Sequence, residues 1–158
     1  MKGREIIHYL LYGGVIIGLA YLTLPRLPKA ASRDSTAIPF SLLAETKRNE
    51  DGVPSYPTTL MALNGRRVTI SGFATPYDNP EIAAKLLLTQ CGSGCFFCAP
   101  PRANGVVLVR RTSNMPLLLW GNGPLTFEGT LHLAHADSTD EEARQFLFTL
   151  DEAGVVGN

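Results

Sequence analysis

All the cysteines of this chain fall in one stretch, "QCGSGCFFCAPP", at Cys91, Cys95 and Cys98. The spacing C-x3-C-x2-C admits several chemistries. Three thiolates can cradle a four-iron cluster, with a further ligand in the last place. The usual setting of that spacing is a large α/β barrel, which 158 residues cannot supply beside a membrane segment. Thiolates two residues apart can instead grip Zn²⁺ or Cu⁺, with Gly92 and Gly94 letting the chain fold around the ion. His132, or His135 of the same H-x2-H pair, would complete such a set. Cys95 and Cys98 also have the spacing of thiol–disulfide oxidoreductases, whose attacking thiol sits at a helix N-terminus. Ala99-Pro100-Pro101 is a poor opening for a helix. A structural disulfide between Cys95 and Cys98, leaving Cys91 spare, would close the loop by restricting the unfolded chain.

Other residues capable of chemistry have plainer readings. Strand alternation puts His132 on a polar face, where a solvated imidazole competes with a ligand. Asp137, Asp140, Glu141 and Glu142 read as a helix-capping cluster rather than an acid–base pair. Ser41 and Ser93 lack a nearby His–Asp grammar. Gly72, Gly121 and Gly123 suit bulges and turns. Trp120, Phe96 and Phe97 form either a contact patch or core.

The elements that must position the cysteines begin at the membrane. "IIHYLLYGGVIIGLAYLTL", Ile6 to Leu24, carries no formal charge and is long enough to span a bilayer. "RLPKAAS" offers a poor cleavage site, so an uncleaved anchor is expected rather than a signal peptide. Gly14 and Gly18 make a G-x3-G pair that lets another membrane helix approach, against the bland reading that glycine is common in such helices. His8, near one end, either snorkels to the headgroups or ligates a metal or tetrapyrrole. The expected layout is a cytoplasmic tail over 1–5, a transmembrane helix over 6–24, a linker over 25–39 and an extracytoplasmic domain over 40–158.

In the outer domain the periodicity is mainly that of strands. Val68, Ile70 and Gly72 alternate with Thr69 and Ser71. Leu125, Phe127, Gly129, Leu131 and Leu133 share a face opposite Thr126, Glu128, Thr130 and His132. Asn64-Gly65 reads as a tight turn, "FSLLAETKRNE" as a short helix, and the second half of "EIAAKLLLTQ" as a strand. "STDEEARQ" opens a helix whose continuation "FLFTL" is left open between helix and strand. Several short strands with turn signals between them predict a mainly β fold, a small barrel with short helices. Lys+Arg and Asp+Glu are both 14, so nothing resembles a nucleic-acid footprint; Arg66-Arg67 and Arg110-Arg111 read as solvated strand ends.

The order "LNGRRVTISGFATP", strand, "CFFCAPP", "GVVLV", "LTFEGTLHL", from Leu63 to Leu133, resembles a family of exported or membrane-anchored bacterial proteins of unassigned function. The resemblance implies an OB-like β-barrel and an extracytoplasmic compartment. It implies no reaction and carries over no catalytic residue. In an exported domain nearby thiols tend to pair. The function expected is that of an interaction protein of the bacterial inner membrane with its domain in the periplasm. It would be an accessory subunit or assembly factor of a membrane protein complex, with zinc or copper as the metals its cysteines could take. The competing class is a thiol–disulfide oxidoreductase or metal chaperone working through Cys91, Cys95 and Cys98.

Overall fold

The computed structural model describes residues 31–32, 34–50, 52–78, 83–92, 101–112, 123–134 and 141–156. The stretch 6–24, with His8, Gly14 and Gly18, lies outside them. Among the described residues no helix is long and apolar enough to cross a membrane.

The fold is mainly β. In chain order the elements are β1 (Thr36–Ala37), α1 (Phe40–Ala44), β2 (Lys47–Arg48), β3 (Pro54–Ser55), α2 (Thr58–Met61), β4 (Arg67–Pro76), β5 (Lys85–Thr89), a 3-10 turn (Ala103–Gly105), β6 (Val106–Arg111), β7 (Leu125–Leu133), α3 (Glu141–Gln145) and β8 (Phe148–Val156). The main sheet runs β1-β4-β5-β6-β8-β7, and a further pairing of β4 with β7 closes the last five strands into a barrel. All barrel pairings are antiparallel except β6 with β8. β2 and β3 form a separate hairpin.

The alternation read in the sequence sets the core. Val68 and Ile70 of β4, Leu86 and Leu88 of β5, and Phe127 and Leu131 of β7 are fully buried. Val107, Val109, Phe148 and Leu150 complete the filling, so the interior is packed side chain rather than lumen. Closure requires β4 to change partners along its length: Arg67 to Gly72 pair with β7, and Phe73 to Pro76 pair with β5. Gly72 stands at the change. A Cβ there would lie 2.6 Å from the Thr89 carbonyl oxygen, so the backbones approach too closely for a side chain. Gly129 plays the same part on β7, opposite an irregularity in β8 where Glu152 adopts φ 51°.

The Asn64-Gly65 turn forms as expected. Gly65 has φ +73°, a conformation that favours glycine. Its N–H donates to Leu131 O, and Asn64 Oδ1 accepts from Leu133 N. In the open segment "FLFTL" the helix has already ended at Gln145, and Phe148 to Leu150 are strand, buried between β6 and β7.

The second half of the expected linker does not stand clear of the domain. β1 pairs in parallel with β4, and Ile38 is buried, so the folded unit starts before residue 40. An apolar side chain inside a short tether gains by docking on the barrel.

Candidate functional site

The cysteine loop leaves the barrel between β5 and β6, whose last and first residues, Thr89 and Val106, are direct partners. Both stems are fastened. On entry, Thr89 Oγ1 donates to the Cys91 carbonyl at 2.8 Å. Gly92 lies on the Phe73 ring, so closely that a Cβ would stand 3.2 Å from its edge. Cys91 itself is a free, half-buried thiol. On exit, Asn104 Nδ2 donates to Ala44 O at 2.9 Å and Thr46 O at 3.1 Å, tying the 3-10 turn to the end of α1. Cys95 and Cys98, with the rest of 93–100, lie outside the described residues.

The connection that receives Asn104 also borders an open pocket of about 370 Å³ lined by Glu45, Lys47, Ser55, Tyr56 and Pro57. Its aromatic wall is tied to the barrel. The Tyr56 hydroxyl lies 3.1 Å from both Ala134 O and Leu147 O, and its ring meets Phe148 edge-on at 6.0 Å. Burial is the main cause that pushes the Tyr56 pKa up to about 12; the hydrogen bond at Ala134 and the charge of Arg48 oppose it.

His132 is on the outer face of β7, 49% exposed, with Nε2 3.8 Å from Asp151 Oδ2. Around the closed barrel β7 is separated from β5, the strand that leads to Cys91, by β4 on one side and by β6 and β8 on the other. The described ligand-capable neighbour of His132 is the Asp151 carboxylate. Among the described residues no three metal-ligating side chains gather at one point. His135 lies outside them.

Three charged residues sit differently from the sequence expectation. Arg110 and Arg111 are not solvated strand ends. Arg110 Nη2 is 3.3 Å from Glu142 Oε2, and its Nη1 is 3.7 Å from Asp151 Oδ1. Arg111 Nη1 donates to Ala83 O, and burial lowers its pKa from the ordinary value. Glu142, expected as part of a helix cap, reaches across to the barrel, with Oε1 2.8 Å from Lys85 Nζ. The reason is tertiary: Glu142 of α3 meets Lys85 of β5 and Arg110 of β6, both far from it in sequence. Nothing in the spacing of these residues along the chain signals the cluster.

Glu128 was placed on a polar face, and it is only 4% exposed. Its carboxylate accepts from Ser32 N at 2.8 Å and from Arg67 Nε at 3.1 Å. The N-terminal segment thus covers a charge that strand alternation would have left in water, and the hydrogen bonds offset its desolvation.

These features define a small, mainly β protein: a packed five-stranded barrel with a cysteine-bearing loop whose stems are both pinned. The chain belongs to the DUF3299 family, described as "Protein of unknown function (DUF3299)", whose profile matches residues 29–154. A crystal structure of a DUF3299 family protein from Pseudomonas aeruginosa PAO1 is similar in fold, with a TM-score of 0.52 and 16% sequence identity, covering 78% of this chain and 97% of that chain. No curated protein matches.

Proposed function

We propose that this chain is a membrane-anchored, extracytoplasmic interaction protein, an accessory subunit or assembly factor of an inner-membrane complex. In this reading the barrel is OB-like, a reading supported by its single parallel pairing, β6 with β8, in an otherwise antiparallel closed sheet. The stretch 6–24 is the anchor, and the packed barrel is the platform that presents a loop to a partner. The observation that carries the reading is the pinning of both loop stems, through Thr89 to Cys91 and through Asn104 to Ala44 and Thr46. Pinned stems set where the loop leaves and re-enters the barrel, which lowers the cost of ordering those stems on binding. Cys91, Cys95 and Cys98 either share a metal, zinc or copper, or leave Cys91 spare beside a Cys95–Cys98 disulfide.

The test is purification of the full chain from its own membranes in mild detergent after a high-salt wash. Co-purifying proteins, bound metal and thiol labelling with and without reductant are then measured on one sample. The reading expects membrane retention, a stoichiometric partner, and either bound metal or one labelled thiol before reduction. With a metal, Cys91→Ser lowers metal content as severely as Cys98→Ser; with a disulfide, Cys91→Ser is nearly silent. Gly14→Leu and Gly18→Leu are expected to weaken partner recovery while the domain stays folded. A soluble protein starting near Ser32, recovered alone with all thiols free and no metal, would reject the proposal.

A further inference from the structure

We infer that the corner between α2 and β4 lies on the bilayer surface and binds anionic lipid headgroups. The inference rests on the anchor reading of 6–24 and adds to it a face and a ligand. It starts from one carboxylate. Glu128 accepts from Ser32 N with Oε2 and from Arg67 Nε with Oε1. The N-terminal segment therefore leaves the barrel beside Arg67, the first residue of β4. Residues 25–31 are all that separate the apolar stretch from Ser32. Fully extended, the chain from Leu24 to Ser32 reaches about 28 Å, and the headgroup layer takes up part of that. Arg67 is thus held close to the membrane, and the barrel cannot turn this side far from it.

The surface around Arg67 has the chemistry for the contact. Between Asp51 and Asp78 the charged residues are Arg66 and Arg67, with no carboxylate among them, and both arginines are exposed. Asn64 N donates to Met61 O and Arg66 N to Leu63 O, which folds the chain into a tight corner. The same corner carries Met61, 52% exposed. An exposed apolar side chain with guanidinium groups close by in the chain suits the boundary where headgroup phosphates meet acyl chains. Of the nearby acids, Glu128 has both oxygens taken and Asp34 is exposed. Arg26 and Lys29, in the tether, outweigh Asp34.

Strand polarity puts the cysteine loop at the same end. β4, β6 and β8 start, and β5 and β7 finish, at one end of the barrel. The α2–β4 corner and the loop stems at Thr89 and Val106 therefore share the membrane-facing end. A partner reached by that loop is one that stands in or on the bilayer.

The probe is the full chain in nanodiscs of phosphatidylcholine alone, or of an equal mixture of phosphatidylcholine and phosphatidylglycerol. Dilute peroxide oxidises exposed methionine to the sulfoxide, and peptide mass spectrometry reads the rate at Met61. The rate is expected to be lower in the mixed discs than in phosphatidylcholine alone. Arg66→Gln is expected to lower the ratio of docked to undocked chain in the mixed discs roughly fivefold, the usual weight of one basic residue at an anionic surface. Its Met61 rate then returns toward that in phosphatidylcholine. Should Arg66→Gln fail to fold, the unmodified chain in the two discs decides. Equal Met61 rates in both discs, or full protection retained by Arg66→Gln, overturn the inference and leave the anchor standing. A chain that enters neither disc overturns the anchor reading, and this inference with it. Where Met61 is shielded only in the complex taken from its own membranes, the corner is a protein contact and the inference falls.

Discussion

Phe40 lies directly over Gly72: a Cβ built on that glycine would stand 2.8 Å from Phe40 Cε2, as well as 2.6 Å from the Thr89 carbonyl oxygen. The contact joins the first turn of α1 to the point where β4 exchanges β7 for β5. Gly72→Ala is therefore expected to destabilise the domain by about 1–3 kcal/mol, the usual cost of forcing an extra carbon into a packed site. Chemical denaturation measures it. Phe40→Leu should recover part of the loss if the ring is the yielding partner; the Thr89 carbonyl cannot yield without moving the strand.

Gly129 makes the parallel case on β7. A Cβ there would meet Asp151 O at 2.7 Å and the Ala153 Cα at 3.2 Å, both backbone. Gly129→Ala should cost at least as much as Gly72→Ala, because no side-chain rotation relieves it. Equal stability of Gly129→Ala and the unmodified chain would contradict the strand register described above.

Tyr56 carries a pH dependence. Its pKa is raised from 10.0 in the unfolded chain to about 12 in the fold. Below pH 10 both states hold the proton and the Tyr56 contacts contribute in full. Between 10 and 12 the unfolded chain loses the proton first, so stability falls with rising pH across that window. Tyr56→Phe should cost about 0.5–1.5 kcal/mol at neutral pH by removing the hydroxyl from Ala134 and Leu147. It should also flatten the difference curve between pH 10 and 12. Thermal melts of both proteins across that range provide the check.

Glu128 holds the start of the domain. Glu128→Gln keeps the shape of the side chain but removes the charge that accepts from Ser32 N and Arg67 Nε. A loss of about 1–3 kcal/mol is expected. Trypsin should also cut at Arg33 faster than in the unmodified chain. An unchanged cleavage rate would show that Ser32 is held by other means.

Asn104 tests the pinned loop. Asn104→Ala removes both donors to Ala44 O and Thr46 O, and about 1–2 kcal/mol of stability should go with them. Faster amide exchange should be confined to α1 and the 3-10 turn. Uniformly faster exchange over the whole barrel would mean that the bond serves the fold rather than the loop.

The periodic part of the architecture was legible residue by residue. Val68 and Ile70 alternate with polar neighbours, as do Phe127, Leu131 and Leu133, and all are buried as that alternation requires. Asn64-Gly65 marked its own turn, and the apolar second half of "EIAAKLLLTQ" became β5. These signals are local, because side-chain period and turn chemistry act within a few residues. What only the tertiary structure decided depends on chain segments far apart in sequence. Phe148 to Leu150 of "FLFTL" are strand because β6 and β7 offer them partners on both sides, and no local preference contains that fact. Glu128 is buried because Ser32, 96 residues away, folds over it. Glu142 became a bridge between Lys85 and Arg110 through the closing of the barrel. The sequence alone determined which residues face inward. Closure of the barrel determined which charges meet, because Coulomb and hydrogen-bond partners are chosen by distance in space, and that distance exists only once the strands have paired.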